Sequence, residues 1–104
     1  MNKIETYLLS LGGHVSNRGF GYIAEAVEMV MDNEEILHQI TTHIYPAVGE
    51  KHGSTPKSVE RCIRSEIGRI YSENHGLPPE FAAKSGKSLT NREFLARMAR
   101  VMQP

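Results

Sequence analysis

Apolar residues recur along this chain at intervals of three and four, the spacing that gathers side chains on one face of a helix. Ile4, Leu8 and Leu11 predict a first helix, ended by Gly12-Gly13 where a left-handed residue is usually needed. A second runs from about Arg18 to Met31 with Ile23, Ala26, Val27 and Val30 as its buried stripe, and Asp32 and Asn33 then offer a stop and a new cap. Ile36, Leu37, Ile40 and Ile44 predict a third helix running into Tyr45-Pro46, since proline inside a helix removes a hydrogen bond and clashes one turn back. A short fourth helix is predicted from about Pro46 to His52, broken by Gly53-Ser54. Thr55 reads as the N-cap of a fifth, with Pro56 at its first position and Val59, Cys62, Ile63, Ile67 and Ile70 repeating down to about Tyr71.

Beyond it, Asn74 to Gly76 form a stop, Pro78-Pro79 start one turn through Phe81, and Lys84 to Leu89 read as loop. Thr90-Asn91-Arg92-Glu93 is a capping box opening a last helix whose Phe94, Leu95, Met98, Val101 and Met102 face inward. No segment alternates apolar and polar residues for more than a few positions, which removes strands. The fold class expected is all-α: one six-helix domain over residues 1–104, with a helix-turn-helix at about 46–71.

At 104 residues and 39% apolar, the chain has room for one core and not for two. Its single cysteine, Cys62, rules out an internal disulfide and a multi-thiolate zinc site. No apolar run approaches the roughly 18 residues of a membrane span, and the first residues lack the apolar centre of a signal peptide, so a cytoplasmic protein is expected. Twelve basic and twelve acidic residues give zero net charge, which argues at first against nucleic acid. That zero averages unlike halves: residues 1–50 hold two basic against seven acidic side chains, net −5, and residues 51–104 carry +5, of which +3 lies within 51–72.

The predicted fourth and fifth helices, joined by Gly53-Ser54-Thr55, make a helix-turn-helix. With Val59, Ile63, Ile67 and Ile70 turned inward, Lys57, Ser58, Glu60, Arg61, Arg64, Ser65 and Gly68 cover the opposite face. Arg can donate twice to guanine, Glu can accept from cytosine, and Ser can serve a base edge or a phosphate. Ser58, Glu60, Arg61, Arg64 and Ser65 are therefore the candidate base contacts, and Lys51, Ser54, Thr55, Lys57 and Arg69 the candidate phosphate contacts. A charged helix face is more often merely solvated; the turn length, the local charge and the mixed Arg, Glu and Ser face favour DNA.

The remaining residues have plain explanations. His38 and His43 are five apart and do not share a helix face, while His14, His52 and His75 fall near helix ends, where imidazole can meet terminal carbonyls. Cys62 reads as a buried, inert thiol, Met29, Met31, Met98 and Met102 as core fillers rather than a docking surface, and Tyr45 and Tyr71 as packing residues with their hydroxyls at the surface. No triad, nucleophile elbow or phosphate-cradling loop supports an enzyme, and no catalytic residue, metal or cofactor is expected.

The stretches Leu11-Gly12-Gly13-His14, Gly19-Phe20-Gly21-Tyr22-Ile23 with Glu25-Ala26, Ile44-Tyr45-Pro46, Val59-Glu60-Arg61-Cys62-Ile63-Arg64 and Thr90-Asn91-Arg92-Glu93-Phe94 resemble the C-terminal effector domain of the master sporulation response regulator of endospore-forming bacteria, over almost the whole chain. The resemblance implies six helices and a transcription regulator, activating or repressing, that reads a short asymmetric box near TTCGACA. It implies base contacts from Glu60 and Arg61 and a base or phosphate contact from Arg64. It also implies partners: double-stranded DNA, a second copy placed head to tail on tandem boxes through residues 90–102, and an RNA polymerase sigma factor. Ser58 stands where the family usually has an Arg that contacts guanine, so a changed preference at one base is expected. The stretch before Thr90 is several residues shorter than usual, Gly68 interrupts the helix, and the receiver domain that normally precedes such an effector is not among these 104 residues. The alternative is a helical protein-docking module that keeps the fold without specific DNA binding, suggested by the zero net charge, the acidic first half and Ser58.

Overall fold

A computed structural model describes residues 1–103, and its helices follow from local signals in the chain. Helix α1 (Lys3–Ser10) opens on a capping box, Asn2 with Glu5, that the apolar pattern alone does not announce. It closes at Leu11, after which Gly12 takes a φ of 107° that a side chain would resist. Helix α2 (Arg18–Asp32) buries Phe20, Tyr22, Ile23, Ala26, Val27 and Val30. Helices α3 (Tyr45–His52), α4 (Pro56–Glu73) and α5 (Asn91–Met102) follow, with one turn of 3₁₀ helix, Pro79–Phe81, between α4 and α5. The predicted capping box of α5 forms in full, with Thr90 accepting from the Glu93 amide and Glu93 accepting from the Thr90 amide.

The expected third α-helix does not form, so five α-helices stand where six were expected. Glu34–Gln39 is 3₁₀ and Ile40–Ile44 is a π turn that closes through the Tyr45 amide onto the Ile40 carbonyl. Pro46 has no N–H to give to the Thr42 carbonyl, and Ile40-Thr41-Thr42 stacks three β-branched residues, so the regular ladder is weak here. The stripe still does its packing: Ile40 and Ile44 are buried, Ile36 and Leu37 half-buried against the core.

Helix α2 lies at the centre, packed on α4 and α5, with α1 and α3 beside it. Leu8, Ile23, Val27, Ile44, Ile63, Ile67, Phe94 and Leu95 fill the space between. Phe94 is flanked by Phe81 at 5.3 Å and Tyr71 at 6.4 Å between ring centres. Of the four methionines expected to fill the core, Met98 is buried, while Met29, Met31 and Met102 pack half-buried at its edge. The Tyr45 and Tyr71 rings pack as expected, and their hydroxyls are tied to neighbouring segments. Tyr45 accepts from Asn91 Nδ2 at 2.9 Å, and Tyr71 donates to the Phe81 carbonyl at 2.6 Å.

Candidate nucleic-acid interface

The turn between α3 and α4 is built as the sequence predicts. Gly53 is left-handed (φ 65°, ψ 34°), the Ser54 amide donates to the Gly49 carbonyl at 2.7 Å and the Gly53 amide to Glu50, a Schellman closure. Gly49 is glycine because a Cβ there would stand 2.5 Å from the Ser54 carbonyl oxygen. Thr55 Oγ1 then accepts from the Ser58 amide at 3.1 Å, and Pro56 starts the 18-residue α4. A helix, a tight turn and a second, longer helix result, the second locked at its first residue.

On α4, Val59, Ile63, Ile67 and Ile70 are buried, as the periodicity predicts. Lys57, Arg61, Arg64 and Ser65 are exposed, and Ser58, Glu60 and Gly68 are half-buried. Glu60 accepts from Arg64 Nε at 2.9 Å and Nη2 at 3.3 Å, which presents carboxylate and guanidinium as one oriented unit. Before α4, Lys51 and Thr55 are exposed and Ser54 half-buried; the Lys51 ammonium sits 3.6 Å from Glu25 with 69% of its side chain exposed. His52 does not meet a helix carbonyl: its Nε2 lies 2.6 Å from the same Glu25 carboxylate.

Two expectations need correction. Arg69 is not free for a phosphate: it donates to both Glu66 oxygens (3.2 and 2.7 Å), to Glu73 (2.9 Å) and to the Gly12 carbonyl (2.9 Å). Cys62 is half-buried rather than enclosed, and it borders a shallow groove that also holds Ser16 and Arg18.

Glu66 is the residue the pattern conceals. It is 3% exposed, in the stripe between Ile63 and Ile70, and takes hydrogen bonds from the His14 amide (2.9 Å), Asn17 Nδ2 (2.7 Å) and Arg69. Burial alone would raise its pKa, but the hydrogen bonds from Arg69, His14 and Asn17 together with the Arg69 charge win, and the carboxyl lies below its ordinary range. This cluster ties the α1–α2 loop to α4. Asn17, which caps α2 in position, has no side-chain hydrogen bond to α2 because it is turned to Glu66. The readable signal was an Arg three residues after a Glu inside an apolar stripe.

A family model described as the C-terminal part of the sporulation initiation factor Spo0A matches residues 4–102. The chain belongs to this family. The Spo0A C-terminal family is a family of DNA-binding effector domains of response regulators, not of enzymes, so DNA is a partner of this fold and transcription regulation its setting. Among the described residues no helix is long and apolar enough to cross a membrane.

Proposed function

We propose that this Spo0A-type domain reads a short asymmetric DNA box by laying α4 in the major groove. Arg61, Arg64 and Glu60, with Ser58 and Ser65 beside them, face base edges, and Lys51, Ser54, Thr55 and Lys57 hold phosphates around the turn. The observation that carries this reading is the unobstructed face of α4, where Lys57, Arg61, Arg64 and Ser65 stand exposed in one row behind a rigid turn. A helix is 10–12 Å across with its side chains, and the major groove about 12 Å wide, so one such face is read at a time. Two copies on tandem boxes, touching through residues 90–102, and a sigma factor of RNA polymerase complete the assembly in this reading.

Anisotropy titration of a box-bearing and a scrambled duplex at two salt concentrations tests it. Specific binding that weakens steeply with salt is the expected result, and equal, negligible affinity for both duplexes is the result that rejects it. Arg61→Ala is expected to weaken the box duplex by about 1–3 kcal/mol and relax preference at one base, whereas Lys57→Ala weakens both duplexes alike.

A further inference from the structure

The dipeptide Asn-Arg occurs twice in this chain, at Asn17-Arg18 and Asn91-Arg92, and both copies stand at the start of a helix that packs on α4. In each, the asparagine amide is fastened to α4. Asn17 donates to the Glu66 carboxylate at 2.7 Å, and Asn91 donates to the Glu60 carbonyl at 3.2 Å and to the Tyr45 hydroxyl at 2.9 Å. In each, the arginine that follows is exposed, and among the described residues neither guanidinium has an ion-pair partner, unlike Arg64 and Arg69. The two sit in different grooves along α4: Arg18 with Ser16 borders the side of Arg61 and Ser65, and Arg92 borders the side of Glu60, Arg64 and Gly68.

We infer that Arg18 and Arg92 are a pair of phosphate clamps, one for each strand of the duplex whose major groove receives α4. The inference rests on the proposed reading of that helix. A helix of 10–12 Å fills a groove of about 12 Å, so the two sugar-phosphate strands run along its two flanks. Groups fixed in the two flanking grooves are the ones that meet them. The asparagine anchors fix the backbone from which each arginine extends, so its reach starts from a set place beside α4, and guanidinium matches phosphate in charge and in geometry. Neither residue faces a base edge, so the pair adds affinity without sequence preference.

The test uses fluorescence anisotropy of the 104-residue chain with a duplex carrying TTCGACA and with a scrambled one, at salt from 50 to 200 mM. Wild type, Arg18→Ala, Arg92→Ala and the two Arg→Lys variants are compared. Each Ala variant is expected to bind both duplexes more weakly by the same factor, and to show a slope of log affinity against log salt smaller by about 1. Over that fourfold rise in salt it then loses about 3.5-fold less affinity than wild type, while the Lys variants keep the wild-type slope. Wild-type slopes in either Ala variant, with box binding intact, overturn the paired clamp alone. So do a loss confined to the box duplex, which would mark a base contact, and a change at Arg92 seen only when two boxes are present, which would mark contact with a second copy. Failure of the wild type to bind either duplex overturns the reading of α4 and this inference with it.

Discussion

Glu66 shows what one buried charge does to a small domain. A carboxyl held below its ordinary value of 4.5 stays ionised in the folded chain while the unfolded chain takes up a proton. Its stabilisation is therefore whole above that value and is lost as pH falls through the lower, folded one. Glu66→Gln is expected to lose about 3 kcal/mol at neutral pH by leaving Arg69 without its buried partner, and to flatten the acid limb of stability. Urea midpoints of both proteins from pH 7 to pH 3 check this. Tyr71 gives the mirror case: burial pushes its phenol up to about 12, so it holds its proton where a free tyrosine has lost it. Stability is expected to fall between pH 10 and about 12, and an absorbance titration of Tyr71→Phe is expected to lack the last phenolate step. Neither residue was legible in the sequence at this level. Periodicity says which side a residue faces, but not that Glu66 finds two donors, the His14 amide and Asn17 Nδ2, about 50 residues away in the chain, or that Tyr71 finds the Phe81 carbonyl.

Among the helices, two glycines make a matched contrast. Gly19 in α2 lies so close to α4 that a Cβ would come within 2.3 Å of the Cys62 carbonyl oxygen and 2.8 Å of Glu66 Cβ. Gly19→Ala is expected to destabilise by about 1–3 kcal/mol through forced separation of the helices, although alanine is the better helix former. Gly68 in α4 has nothing within 4 Å of the same construction and no positive φ, so Gly68→Ala is expected to gain about 1 kcal/mol. Denaturant midpoints give both signs in one experiment. The sequence marked Gly68 as a local weakness and was silent about Gly19, because close helix approach is a property of two segments at once. The same holds for the segment before Pro46. Its apolar stripe was legible, but the winding was not, since an ordinary helix and a π turn both keep Ile40 and Ile44 on the inner side.

Taken as one body, the protein has a single cluster of buried apolar residues that draws on every α-helix. Phe94→Ala, which empties the site between Phe81 and Tyr71, is expected to cost about 3–5 kcal/mol and to move helix and aromatic signals together in one transition. Separate transitions for the two probes would show that the helices do not depend on one another. The helical class and the helix-turn-helix were legible from periodicity and from capping residues. Five of the six predicted helices form as α-helices, and the exposed row on α4 falls where the stripe opposite it requires. The flanks of α4 were not legible, because Arg18 and Arg92 reach it from distant parts of the chain.

The π turn at Ile40–Ile44 has a consequence for how this chain tolerates changes in length. A ring closed from residue 45 to residue 40 holds one amino acid more than an ordinary helical ring. Removing Thr42 would leave a ring of ordinary helical size, so this spot has one residue of slack. A deletion scan is expected to find a soluble, folded protein there, and unfolded chains when a residue is cut from the middle of α2 or α4.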